Sequence, residues 1–330
     1  MEKYDVVALG ELLIDMTDNG VSEQGNTLFE ANPGGAPCNV LAMLSKLGHS
    51  VSFIGKVGDD IFGHKLKKTL EEVGIGSDYL CMDKEHRTTL AFVETLEGGD
   101  RDFSFYRNPG ADMMLQVSDI DEKPLSNTKI MHFGTLSMTH EGVRNATMHA
   151  VETAKKNGAY ISFDPNIREP LWNSLEEART QVLYGLSQCD ILKISDNEIQ
   201  WLTGKEDFTE GVNKIRENYK IPLILLSMGK DGSRAYYLDE QGQSIMVEEK
   251  GFIQEKTIET TGAGDTFMGC VLHFVLKNGI EHLTSDQLSE MLRFANGAAS
   301  IITTRRGALR VMPTVEEIEQ LILETIQTYN

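Results

Sequence analysis

Short apolar runs alternate with amphipathic segments along most of this chain, and that alternation restricts its fold more than any other feature. Val6-Val7-Ala8-Leu9-Gly10 is an apolar run closed by glycine, the pattern of a strand buried on both faces. From Ala36 to Leu47, Val40, Leu44 and Leu47 share one stripe, and Gly48 stands where a helix would be capped. Val51–Ile54 reads as the next strand and Ile61–Val73 as the next helix, stopped by Gly74. The pattern resumes with strand Ile130–Phe133, helix Val143–Lys156, strand Tyr160–Phe163 and helix Leu175–Leu186. Ile191–Ile194 and Leu223–Leu226 are further strands; Glu290–Thr303 and Val315–Ile326 are closing helices. Strands separated by helices pair in parallel, and a parallel sheet needs both faces covered. The expected class is therefore α/β, a mostly parallel sheet with helices on both faces.

One region breaks the alternation. Thr89–Leu96 and Arg101–Arg107 are strand-like runs around Gly98-Gly99 with no helix between them. Phe103, Phe105 and Arg107 fall on one face, Ser104 and Tyr106 on the other. Such a hairpin, with Ser22–Ala31 as a partner strand, reads as a lid over the α/β body; an edge hairpin of the main sheet is the alternative. No helix adjacent in sequence covers the Phe103/Phe105 face, so it must meet substrate, core or a second subunit. A homodimer through the lid is one expectation that follows. No linker, repeat or low-complexity tract divides the chain, so residues 1–330 read as one domain with lid strands inserted at about 22–31 and 89–107.

The composition excludes several functions. A net charge of −19 argues against a sequence-independent grip on nucleic acid or on anionic membrane. Any polyphosphate site must then be built locally, from amides and a few cations. The four cysteines form no CxxC pair, so neither zinc nor a disulfide framework is indicated. Met1-Glu2-Lys3-Tyr4-Asp5 lacks the basic and apolar regions of a signal peptide, and the expected location is the cytoplasm. No GxxxxGK[ST] loop or dinucleotide fingerprint occurs, and the eight histidines form no HExxH.

The run Glu259-Thr260-Thr261-Gly262-Ala263-Gly264-Asp265-Thr266-Phe267 carries the strongest chemical signal. Three small residues let the backbone turn tightly and bring bare amides to a ligand. Phe267, Val271, Phe274 and Val275 then recur at helical spacing, so the loop opens a buried helix. A helix N-terminus favours an anion. Asp265 could simply cap that helix, but a cap does not explain Gly262, Ala263 and Gly264 before it. A carboxylate beside an anion-binding loop suits a general base acting on an attacking hydroxyl.

Two further stretches, Gly34-Gly35-Ala36-Pro37-Cys38-Asn39 and Gly55-Lys56-Val57-Gly58-Asp59-Asp60-Ile61-Phe62-Gly63, join it in order. Together they resemble the paired signatures of the ribokinase-like (PfkB-type) carbohydrate kinases. The Gly-Gly-Ala-Pro form, with Asp164-Pro165-Asn166-x-Arg168-x-x-Leu171-Trp172 downstream, is most similar to the fructokinase branch. The resemblance spans residues 4–328 and implies a ribokinase-like fold with a small β-sheet lid over the sugar.

Residue by residue, Asp15 stands in the apolar run Leu12–Met16, where a carboxylate needs hydrogen-bond partners. Loop capping would supply them; the resemblance implies sugar hydroxyls. Gly34 and Gly35 would let the backbone touch the sugar, and Asn39 would offer it a donor and an acceptor. Phe105 would close over it. Arg107 could serve a sugar-acid carboxylate, and Arg168 could fork onto phosphate or sugar or form a surface ion pair. Lys193-Ile194-Ser195-Asp196-Asn197-Glu198 resembles the segment near the nucleotide phosphates and Mg²⁺, with Ser195 in place of the usual Asn. Glu198 would hold Mg²⁺ through water. Ser227, Gly229 and Gly232 resemble the ATP-side loop, although by composition they are only a turn. Asn296 and Gly307 match positions bordering the adenine. Glu259 and Thr261 match positions that hold a monovalent cation, K⁺, in many relatives, but the first is usually Asp, and Val311 replaces a side-chain oxygen. The expected activity is ATP-dependent phosphorylation of a primary sugar hydroxyl, with D-fructose favoured over 2-keto-3-deoxygluconate or a ribonucleoside. A non-catalytic sugar sensor is the rival from another class.

Overall fold

A computed structural model of the chain describes residues 3–95, 101–239 and 241–329. Strand β1 (Val6–Leu9) is wholly buried and leads into β2 (Leu13–Val21) and β3 (Thr27–Gly34), which pair antiparallel away from it. Helix α1 (Ala36–Lys46) begins directly after Gly35, with Pro37 in its first turn, where a missing N–H costs nothing. Strand β4 (Val51–Gly58) and helix α2 (Ile61–Glu72) follow; Asp60 caps α2 by accepting from the amides of Phe62 and Gly63. The short strands β5 (Ile75–Gly76) and β6 (Leu80–Asp83) precede the hairpin strands β7 (Leu90–Thr95) and β8 (Arg101–Tyr106).

The second half returns to strand–helix alternation: β9 (Ile130–Gly134), α3 (Glu141–Lys156), β10 (Tyr160–Asp164), α4 (Leu175–Gln188) and β11 (Ile191–Ser195). Helices α5 (Asp196–Thr203) and α6 (Phe208–Arg216) lead to β12 (Leu223–Ser227) and the hairpin of β13 (Ser233–Leu238) and β14 (Ser244–Glu249). Helices α7 (Ala263–Asn278), α8 (Ser285–Ile302) and α9 (Val315–Tyr329) close the described chain.

Among the described residues, ten strands form the main sheet in the order β14-β13-β12-β11-β10-β9-β1-β4-β5, with β6 paired to β4. Strands β12, β11, β10, β9, β1 and β4 run parallel, and β13 and β14 add an antiparallel edge. Apolar layers cover both faces. One packs Leu41, Leu44, Met268, Val271 and Leu292 of α1, α7 and α8 against the sheet; the other packs Val151, Val182 and Ile199 of α3, α4 and α5 around Phe133 and Phe163. The expected α/β architecture is present.

The separate lid sheet runs β3-β2-β7-β8. It differs from the expected pairing. Strand β2 stands between β3 and β7, while Ser22–Asn26 is a turn and β3 begins only at Thr27. Asp18-Asn19-Gly20 hides β2 in the sequence because these are turn-forming residues; here they sit at a register shift within the strand. Gly98-Gly99 and the side chain of Phe103 lie outside the described residues. Phe105 and Tyr106 point to opposite faces, as expected. Phe105 lines a cleft beneath the lid, whereas Tyr106 joins Phe92 and Phe29 in an aromatic row on the far face.

Two helices present in the structure escaped the sequence pattern. Helix α5 is only eight residues long, opened by the Ser195/Glu198 capping box, and α6 has nine. Helix α8 starts five residues earlier than the apolar stripe indicated, because Thr284 and Gln287 form a capping box there.

Candidate active site

A cleft of about 710 Å³ opens between the lid and the carboxyl ends of the parallel strands, where open α/β sheets bind ligands. Helices α1 and α7 pack together and aim their N-termini into it. Asp15 lies in β2 rather than in a loop, opposite Asn32 of β3 and Ala91 of β7, and so enters the cleft from the lid. Gly34 leaves room for its carboxylate: a Cβ there would fall 2.2 Å from Asp15 Oδ2. Gly35, Phe105 and Arg168 also line the space.

At the N-terminus of α7, Gly262 has φ +79°, a conformation open to glycine and costly for other residues. This left-handed turn carries the chain from Thr260 and Thr261 into Ala263 and Gly264. Thr260, Thr261, Gly262, Gly264 and Asp265 all line the cleft. The capping alternative for Asp265 does not describe what is found. The first residue outside the helix is Gly262, which provides no side-chain cap, and Asp265 Oδ2 instead accepts from Asn39 Nδ2 at 2.8 Å. Burial pushes the Asp265 carboxyl above its ordinary value; the Asn39 hydrogen bond and the charges of Lys193 and Arg168 oppose this without cancelling it. Asn39 lines the cleft, and its Oδ1 is buried and takes no hydrogen bond among the described residues.

Beneath the loop, Lys193 Nζ lies 3.0 Å from Asp164 Oδ2 and only 3.1 Å from where a Cβ on Gly264 would stand. Burial works against the Lys193 charge, but Asp164, Glu198 and Asp265 together hold the ammonium above its ordinary value. A fixed cation therefore lies under the Gly262–Gly264 turn. Glu198 lines the cleft with both oxygens occupied: Oε1 accepts from Ile167 N at 2.9 Å, and Oε2 from the amide and hydroxyl of Ser195 at 2.9 and 2.8 Å. Such a carboxylate fits a role in orienting a metal's water better than direct coordination of bare Mg²⁺.

Other expected site residues are placed elsewhere. Arg107 is buried outside the cleft lining, and its guanidinium is committed to Asp112, Thr139 and the Leu136 carbonyl, so a free partner for a sugar-acid carboxylate is not what the fold provides. Asn296 is likewise committed. Its Oδ1 accepts from Ser233 Oγ at 2.8 Å and its Nδ2 donates to the carbonyls of Glu249 and Lys250, tying α8 to the β13–β14 edge. Ser227, Gly229, Gly232 and Gly307 are outside the cleft lining. Glu259 accepts from the Gly307 amide at 3.4 Å, beside the turn at Thr261.

Glu11 and Trp201 line the cleft but belong to no sequence motif of a site; Asp164, part of the Asp-Pro-Asn motif, lies just behind it as the partner of Lys193. Glu11 lines the cleft and accepts from the Ala36 amide at 2.9 Å, replacing the side-chain cap that Gly35 cannot give α1. Burial pushes its carboxyl up to about 7 against the bonds from its own and the Ala36 amide. A charged residue directly after an apolar strand was the available signal. Among the described residues no His/Cys/Asp/Glu cluster could hold a metal ion by itself, and no helix is long and apolar enough to cross a membrane.

The model of the family described as "pfkB family carbohydrate kinase" matches residues 3–315. A probable fructokinase-2 of Arabidopsis thaliana is 40% identical over 94% of this chain and 93% of its own length. The crystal structure of a fructokinase with bound ATP from Xylella fastidiosa superposes with a TM-score of 0.87 at 28% identity, covering 98% of this chain and 99% of that one. A double mutant of the Vibrio cholerae O395 fructokinase, bound to fructose, ADP and potassium ion, superposes with a TM-score of 0.84 at 29% identity over 98% of this chain and 99% of that chain.

Proposed function

This chain belongs to the pfkB family of carbohydrate kinases, and we propose that it transfers the γ-phosphoryl group of ATP to a primary hydroxyl of D-fructose, giving fructose 6-phosphate. The observation that carries the reading is Asp265, a buried carboxylate of raised pKa at the N-terminus of α7, held by Asn39 in a cleft under a lid. The fructokinases among its relatives supply the sugar.

In this reading Asp15 from the lid, Gly34-Gly35 and Asn39 bind the sugar hydroxyls, with Phe105 closing over them. The reacting hydroxyl points at Asp265, which takes its proton as the new O–P bond forms. The amides of the Gly262-Ala263-Gly264 turn, with the Lys193 cation below, stabilise charge on the transferring group, which is where most phosphoryl-transfer catalysis lies. Magnesium bound with the nucleotide would neutralise phosphate charge, and Glu198 would hold it through water. Potassium beside the turn at Glu259 and Thr261 is part of the proposal, supported by the potassium-bound relative. Arg107's commitment to Asp112 weighs against a sugar-acid substrate.

A homodimer through the lid is proposed on the far face, where Phe29 and Tyr106 remain exposed beside Phe92. ADP release measured with fructose, ribose, 2-keto-3-deoxygluconate and nucleosides, in potassium and in tetramethylammonium buffers, tests the assignment. Fructose should give the highest kcat/KM. Absence of turnover with every sugar would point to the sensor reading instead.

A further inference from the structure

Strands β7 and β8 leave and rejoin the α/β body at two junctions, and one buried carboxylate holds both. Asp112 accepts from Thr89 Oγ1 at 2.5 Å, just before β7, and from Arg107 Nε at 2.7 Å, just after β8. Arg107 then reaches into the body, donating to Thr139 Oγ1 at 2.9 Å and to the Leu136 carbonyl at 3.0 Å. Thr89, Arg107, Asp112 and Thr139 are all buried. Gly110 presses against the group: a Cβ there would fall 1.9 Å from Thr89 Oγ1 and 2.7 Å from Asp112 Oδ1.

Burying an ion pair is costly, and a hydrophobic replacement of equal volume often does as well for stability. A fully hydrogen-bonded buried pair is better suited to specifying a single arrangement. Here the arrangement specified is the angle of the lid. Phe105 stands two residues before Arg107, and Ala91, its cross-strand partner, two after Thr89. Ala91 in turn is level with Asp15 on β2. A small rotation at the clamped junctions would thus move Phe105 and Asp15 together relative to Asn39 and Asp265. Neither Asp112 nor Arg107 lines the cleft itself.

We propose that Asp112 is a positioning residue for sugar binding: through Thr89 and Arg107 it clamps both junctions of the lid and fixes the lid's place over the cleft. The inference rests on the reading of that cleft as the sugar site. Its test therefore includes a measurement that needs no sugar.

In ligand-free protein, Asp112→Asn and Gly110→Ala should speed amide exchange in β7 and β8 by at least about 10-fold, with α1 and α7 unchanged. In turnover, the sugar KM should rise at least about 10-fold while the ATP KM stays within about 3-fold, because only the lid's contribution to positioning is lost. ATP hydrolysis without sugar should increase as water enters. Thr89→Val removes one hydrogen bond and leaves the ion pair, so it should show the same pattern more weakly, and it stands in if Asp112→Asn fails to fold. A folded variant with a lowered Tm but wild-type lid exchange and sugar KM would overturn the proposal, reducing the clamp to a stabilising contact. If the wild-type chain phosphorylates no sugar, the kinase reading fails, and the exchange measurement alone decides the clamp.

Discussion

Replacing Asp265 by asparagine separates the chemistry of the site from its stability, because the two should move in opposite directions. Asparagine keeps the volume and can still accept from Asn39 Nδ2, the bond found at 2.8 Å. It cannot take a proton. Loss of a positioned general base costs about 10²–10⁴-fold in rate, equivalent to about 3–5 kcal/mol of barrier. The upper half of that range is expected here. The neighbouring carboxylate, Asp164, is tied to Lys193 at 3.0 Å and is not placed to substitute. Sugar and ATP KM should change little.

Stability should not fall. Burial raises the Asp265 pKa, so the folded protein binds this proton more tightly than the unfolded chain does. Folding stability is then lost as pH rises from the ordinary carboxylate value through the raised one, and at neutral pH the charge is a net cost. Asp265→Asn removes that cost, so the Tm at pH 8 should rise, with the difference vanishing at pH below the ordinary value. Coupled ADP assays across pH and thermal melts at two pH values measure both effects. The wild-type rate should also fall on the acid side at a pH above the usual carboxylate range. A folded variant retaining more than a tenth of wild-type kcat would refute the base assignment. A lower Tm at pH 8 would refute the claim that burial outweighs Asn39, Lys193 and Arg168.

Asp15→Ala should weaken fructose binding strongly, since buried sugar hydroxyls lose their partner, with ATP affinity nearly unchanged by calorimetry; the reverse pattern would exchange the two subsites. Lys193→Met leaves Asp164 buried without its cation and should cost about 3–5 kcal/mol in denaturant unfolding. The double variant with Asp164→Leu should regain most of that stability but not activity, and recovery of activity would dismiss the cation under the turn. Tyr106→Glu on the aromatic row should shift sedimentation toward monomer while leaving the cleft intact; an unchanged profile would rule out this face as the dimer contact.

The parts of this molecule legible in the sequence are those governed by local pattern. Parallel strands such as Val6–Leu9 and Leu223–Leu226 are buried on both faces and read as unbroken apolar runs. The Gly262–Asp265 turn is legible because three small residues before a carboxylate have few other uses. Strand β2 was not, since Asp18-Asn19-Gly20 has turn composition yet lies within the strand, at the register shift between Asp18 and Val21. Side-chain roles proved least legible, and for one reason. Residue type sets what a group can do, but its buried partners decide what it does, and those partners are distant in sequence. Asn39 and Asp265 are 226 positions apart, and their bond leaves the asparagine oxygen without a partner among the described residues. Asn296 has the same functional group, but Ser233 and two carbonyls occupy both of its ends. Arg168 and Arg107 differ in the same way: one faces the cleft, while the other is locked on Asp112 behind it. The locked arginine is not idle on that account. A guanidinium that cannot reach the sugar can still determine where the sugar's lid stands.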